Sequence, residues 1–240
     1  EKKPAEVFLS DGSKVSVDML TVGGMDVTAF VGLNGGDSTN KLGLSLGGVN
    51  FGLGLMTDEL NSSRKWTSLK AEADEMSFEG LDDFTVSGSG LEVEINQASS
   101  VDGPVVDYSG STQGSGSLEI EGSEVKLDMD GSKGKLLSGS GNIELGVGDF
   151  FHVSGAVGFE KKPAEVVLSD QSEVSVDMLT IGGKKLTAFT GLNGETGLNG
   201  EDADRVGFAL GESLSASPDS PFCRKRQSDL LSGWCAPLVG

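Results

Sequence analysis

His152 is the only histidine in the 240-residue chain and the first place to look for chemistry. A general base must sit beside a nucleophile and an orienting acid, and Asp149-Phe150-Phe151-His152 is accompanied by no G-x-S-x-G elbow. His152 therefore reads as a residue on the polar side of a strand. Cys223 and Cys235 lack the paired spacing of a zinc knuckle, so a chance pair or a disulfide is the expected reading. Arg224-Lys225-Arg226 resembles a basic localisation patch only in composition. Asp11, Asp37, Asp82, Asp83, Asp102 and Asp130 sit in or beside glycine turns, where oxygens could gather around calcium. Neither EF-hand spacing nor tandem nonapeptide repeats accompany them, and Asp is the ordinary turn residue. Gly88-Ser89-Gly90 and Gly139-Ser140-Gly141 have the composition of phosphate loops, but those motifs need a helix directly after them. Strand-like sequence follows both, so they are expected to be turns. Asn61-Ser62-Ser63 fits the glycosylation tripeptide, a pattern too short to carry weight. No catalytic, cofactor-binding or metal-ligating residue is expected, and no cofactor; calcium is the one ion the aspartates could take.

The elements that would position these residues are organised by a repeat. Residues 1–35 recur at 160–194, with 27 of 35 positions identical at an offset of 159. The chain thus divides into a complete unit, 1–159, the start of a second copy, 160–211, and an atypical tail, 212–240, expected to be poorly ordered. After Gly194 the second copy expands its loop, and Val206-Gly-Phe-Ala-Leu-Gly then matches Leu42-Gly-Leu-Ser-Leu-Gly at an offset of 164, a five-residue insertion. Beyond Gly211 the likeness vanishes, as after a reading-frame slip or at an unrelated terminus. A sequence that starts mid-pattern is expected to be a piece of something longer. Large tandem repeats of this kind are read as arrays, not as self-contained domains.

Within the unit, apolar residues alternate with polar ones: Val15, Val17, Met19; Leu91, Val93, Ile95; Leu127, Met129; Leu145, Val147. Asp11-Gly12 is a hairpin dipeptide. Gly23-Gly24, Gly122-Ser123, Asp130-Gly131 and Gly139 to Gly141 mark further expected turns, so turn signals recur roughly every 8 to 15 residues. Residues 57–73 are the one interval where a helical reading competes, and Ser109 to Ser117 reads as a flexible connection. Hairpin-length links cannot make parallel crossovers. The fold class is therefore all-β, an elongated antiparallel repeat architecture built as a stacked meander, a sandwich or a rolled sheet. The expected buried residues are Val15, Val17, Leu44, Phe51, Leu53, Val93, Ile95, Leu127, Leu145, Val153 and Phe159. The junction of the copies falls inside strand-like sequence, so neighbouring units are expected to share one sheet.

Composition limits the partners. A formal charge of −19 repels phosphate backbones and anionic headgroups, which excludes nucleic acid and anionic membranes as partners. Glycine is abundant at 37 residues and aromatic residues make up 6%, so any core is thin and stability is spread over many strands.

The near-identical unit of about 160 residues, free of cysteine and acidic, with phrases such as SGNIELGVGDFFHVSGAVGFEKKPAEV, resembles very large repetitive bacterial surface proteins of the adhesin-like or haemagglutinin-like kind. That resemblance implies secretion to the extracellular space or cell surface, a stalk or surface layer, neighbouring repeats and other cell-surface molecules as partners, and no enzymatic role. The expected function is a structural and adhesive spacer. The strand-turn-strand rhythm is also similar to the amphipathic grooves of AsmA/TamB-type envelope proteins, which implies the alternative of a lipid- or hydrophobe-shielding β-groove.

Overall fold

Alternation of small polar and apolar residues dictates extended chain, and extended chain dominates the molecule. The computed structural model describes residues 2–36, 40–81, 83–110, 116–192, 206–211 and 233–234. Among them there is no α-helix, only one 3-10 turn at Gly131–Lys133. The strands are β1 Lys2–Phe8, β2 Lys14–Leu33, β3 Leu42–Asp58, β4 Lys65–Glu79, β5 Phe84–Ala98, β6 Leu118–Glu119, β7 Lys126–Leu127, β8 Leu136–Val147, β9 Phe151–Val167, β10 Glu173–Leu192, β11 Val206–Leu210 and β12 Gly233–Trp234. Ten of them form one antiparallel sheet in the order β1-β2-β3-β4-β5-β8-β9-β10-β11-β12. Each strand lies beside its predecessor, apart from the excursion between β5 and β8. The protein is all-β, an elongated antiparallel meander. Beyond the Gly233–Trp234 pairing, the tail lies outside the described residues, Cys223, Cys235 and Arg224 to Arg226 included.

The strands are longer than the turn signals suggest. Gly23-Gly24 lies inside the 20-residue β2, and Gly139 to Gly141 lies inside β8. Gly88 to Gly90 likewise falls within β5. The expected turns there do not form, because these glycines make room for neighbours across the pleat. A Cβ on Gly23 would stand 2.5 Å from the Glu121 carbonyl oxygen, and one on Gly139 2.6 Å from Cε1 of Phe159. Gly90, at φ 57°, absorbs a bulge where the β5–β8 register shifts between Ser89 and Glu92. By contrast Asp11-Gly12 does turn the chain, with the Gly12 N–H donating to the Leu9 carbonyl at 2.9 Å.

The interval 57–73 contains no helix. β3 runs to Asp58, whose buried carboxylate accepts the Leu60 and Asn61 N–H groups at 2.8 and 3.2 Å and pairs with Arg64 at 3.0 Å. That loop returns the chain directly into β4. Of the connection over 109–117, residues 111–115 lie outside the described residues.

Among the described residues the buried hydrophobic cluster lies at one end of one face. The excursion between β5 and β8, described over 99–110 and 116–135, crosses the sheet and packs Val106, Tyr108, Ile120, Leu127 and Met129 onto Val7, Leu9, Val17, Met19, Met56 and Trp66. It is anchored at the end of β1 by Ser10 N–H to Val105 carbonyl (2.8 Å) and Asp107 N–H to Phe8 carbonyl (2.9 Å). This placement corrects the expected core. Val17 and Leu127 are fully buried; Val15, Leu44, Phe51, Leu53, Val93, Ile95, Leu145 and Val153 are half-buried, and Phe159 is 41% exposed. Val15 packs against the rim of this core, whereas Phe51, Leu53, Val93, Ile95 and Phe159 share the opposite face, which no second layer covers among the described residues.

Candidate functional site

Three surfaces could carry function, and the register assigns each its residues. The first is the polar network under the crossing segment. Asn96 and Ser68 are fully buried, as is Tyr108. The Tyr108 hydroxyl donates to Ser68 Oγ at 3.0 Å, Ser68 Oγ donates to Asn96 Oδ1 at 3.3 Å, and Asn96 Nδ2 donates to the Val106 carbonyl at 2.7 Å. Trp66 Nε1 donates to the Pro104 carbonyl at 2.8 Å. Burial pushes the Tyr108 phenol well above its ordinary range, with the Ser68 contact offsetting part of that rise. A chain of satisfied buried groups of this sort fixes one docking geometry for the segment.

The second surface is acidic and lies beside the first. Lys70 Nζ stands 3.0 Å from Asp128, 3.5 Å from Glu94 and 3.4 Å from Glu92. Burial alone would lower the Lys70 pKa, but the Asp128 hydrogen bond and the three carboxylate charges outweigh it and hold the ammonium above its ordinary range. Next to it an open, shallow depression of about 310 Å³ is lined by Glu92, Glu94, Ser138, Ser140, Glu160 and Thr180. Among the described residues no group of three or more His, Cys, Asp or Glu side chains is placed to hold a metal ion.

The residues singled out for chemistry do not meet. His152 lies in β9 opposite Gly146 and Phe189, its Nε2 2.8 Å from Glu144 on β8. Asp11 accepts hydrogen bonds from the Ser13 hydroxyl and N–H at 2.6 and 2.9 Å, which lower its pKa. Asp130 caps the 3-10 turn through Ser132 N–H at 2.8 Å. Asp107, which the sequence reading did not single out, accepts Ser109 N–H at 3.0 Å and Gly131 N–H at 3.1 Å. Burial raises its pKa, but these hydrogen bonds prevail and lower it below the usual carboxylate value. Asp37 and Asp82 lie outside the described residues.

The third surface is the open face of the sheet. Residues paired in register on neighbouring strands point to the same side. One row across it reads Val22, Leu53, Leu69, Ile95, Leu137, Lys161, Leu179, and the next Gly24, Phe51, Ala71, Val93, Gly139, Phe159, Ile181. None of the large apolar side chains in these rows is fully buried. The same alternation that the sequence shows along each strand thus becomes an apolar surface seven strands wide.

The two copies of the repeat differ in cover. Val7, Leu9, Val17 and Met19 are at most 4% exposed beneath the crossing segment. Their counterparts Leu168 and Met178 are 47% and 37% exposed. Otherwise the copies match closely: β11 pairs with β10, Gly191 opposite Gly207, as β3 pairs with β2, Gly32 opposite Gly43. No protein-family model, curated protein or solved structure matches the chain.

Proposed function

We propose that this chain is a non-catalytic structural segment of a large extracellular or cell-surface protein, in which tandem units join edge to edge and set distance. The observation that carries this reading is β9, a single strand over Phe151–Val167 that contains the junction between the copies. Units joined inside a strand share backbone hydrogen bonds, so they extend as one sheet and not as beads on linkers. Further support comes from the crossing segment of the first unit, whose Lys133 pairs with Glu160 at 3.9 Å and whose Gly134 lies against Pro163, both in the second copy. The natural partners are neighbouring repeats, with adhesion to other cell-surface molecules as the role of the assembled surface. The test is the stability of chains with one, two and three units: coupled units raise the denaturation midpoint with each addition, whereas an unchanged midpoint would show that the units are independent.

The open apolar face favours a second reading, a lipid- or hydrophobe-shielding sheet. Contiguous apolar patches larger than a few hundred Å² mark interaction surfaces. Lipid that copurifies with the protein and is absent from an equal-sized control, by mass spectrometry, would favour this reading over the spacer; a lipid-free preparation would remove it.

A further inference from the structure

The geometry points to a second copy of this chain as the cover of the open apolar face: two sheets stack those faces against each other as a two-layer sandwich. This goes beyond the edge-to-edge reading, which joins units within one sheet, and is independent of it. The interior strands carry the face. β3, β4, β5, β8 and β9 each have a strand on both sides, so side chains are what they offer a partner. β8 and β9 pair without a shift from Leu137 opposite Lys161 to Gly146 opposite His152. One side of that pairing carries Leu137, Ile143 and Leu145 with Val153, Val157 and Phe159, and Lys161 is its one charged residue.

Charge is sorted between the two sides. Lys70, Glu94, Ser138 and Glu160 form one row, and Glu92 with Ser140 lies in the next, all on the side away from Val93 and Ile95. Glu144, opposite Ser154, is on that side too. Two copies that meet through their apolar faces therefore keep these acids on the outer surfaces. Packed sheets lie about 10 Å apart, farther than the ~8 Å screening length at physiological salt, so the −19 of each chain offers little resistance.

The face is also level and large enough. A Cβ on Gly139 would stand 2.6 Å from Phe159 Cε1 and one on Gly141 2.5 Å from Leu91 Cδ2, and the Phe51 ring lies over Gly24 in the same way. Large side chains thus lie across glycines of the neighbouring strand and fill the gaps between rows. A level apolar sheet suits a second such sheet, whereas an acyl chain needs a concave site to enclose it. The rows cross seven strands, and the β8–β9 pairing is ten residues long. At about 4.8 Å per strand and about 3.4 Å per residue, that is on the order of 1,000 Å², against the roughly 800 Å² per partner of a stable interface. A two-fold axis presents the same patch from both copies.

The experiment weighs the full chain by native mass spectrometry and sedimentation, with reductant present so that Cys223 and Cys235 do not link chains. The expected mass is that of two chains with nothing added. Val93→Lys together with Leu145→Lys, which sets ammonium groups into the shared layer, should weaken association at least about a hundredfold. Should that variant lose its strand signal in circular dichroism, Val93→Thr with Leu145→Thr keeps β-branched residues and should weaken association at least about tenfold. Ser140→Lys, on the acidic side, should leave association unchanged. A monomer at concentrations up to about 100 µM, a single chain carrying lipid, or a dimer that survives the folded double variants would each overturn the inference. The array reading is decided separately, by the midpoints of chains with one, two and three units.

Discussion

Gly12 and Gln171 occupy the same turn in the two copies, with φ 80° and 66°. A left-handed conformation costs a non-glycine residue about 1–2 kcal/mol. Gln171→Gly should therefore raise stability by about 1 kcal/mol, read as a higher denaturant midpoint, and Gly12→Gln should lower it by a similar amount. Lys70 gives a pH signature. Its folded-state pKa is raised, so its contribution is fully present below the unfolded value near 10.4 and is lost as pH rises toward the folded one. Lys70→Met should cost about 1–3 kcal/mol at pH 7, leaving Glu94, Glu92 and Asp128 without their cation, and the gap to the parent should narrow above about pH 10.4 in urea melts. At this scale the sequence was readable where a residue acts through its neighbours in the chain, as Asp11 does with Ser13. It was silent where partners come from afar. The buried trio of Tyr108, Ser68 and Asn96 is drawn from three separate segments, and nothing in their local spacing distinguishes them from surface residues.

At the scale of elements, alternation marked the strands and the glycine pairs misplaced their ends. A Gly-Gly pair has the same composition in a turn and in a strand crowded by a neighbour, and only the packing decides. Gly23 and Gly182 are the same repeat position in two environments. Gly23 lies under Glu121 and Ile120, whereas among the described residues no atom lies within 4 Å of a Cβ placed on Gly182. Gly23→Val should displace the crossing segment and lower stability by about 1–3 kcal/mol, while Gly182→Val should be neutral or slightly stabilising, as β-branched residues favour strands. Equal effects in thermal melts would contradict this account of the covered face. The expected core erred for a related reason. Periodicity tells which residues share a face, but not whether anything lies on it. Val17 and Phe159 have equivalent patterns in sequence, yet one lies under the excursion and the other faces the open side.

For the whole molecule, the all-β antiparallel meander was legible because short links and period-two patterning leave few alternatives. The crossing segment was not, since its strands have two residues each and its apolar residues do not alternate differently from those of the main sheet. The repeat offset connects sequence to reach. One unit contributes six strands to the main sheet, from β1 to its counterpart within β9. At about 4.8 Å per strand, each added 159 residues should lengthen the sheet by about 29 Å. Small-angle scattering on chains of one, two and three units tests this most directly. The account predicts a maximum dimension rising linearly by about that increment at constant cross-section. A cross-section that grows with each unit, as in a collapsing globule, would contradict it.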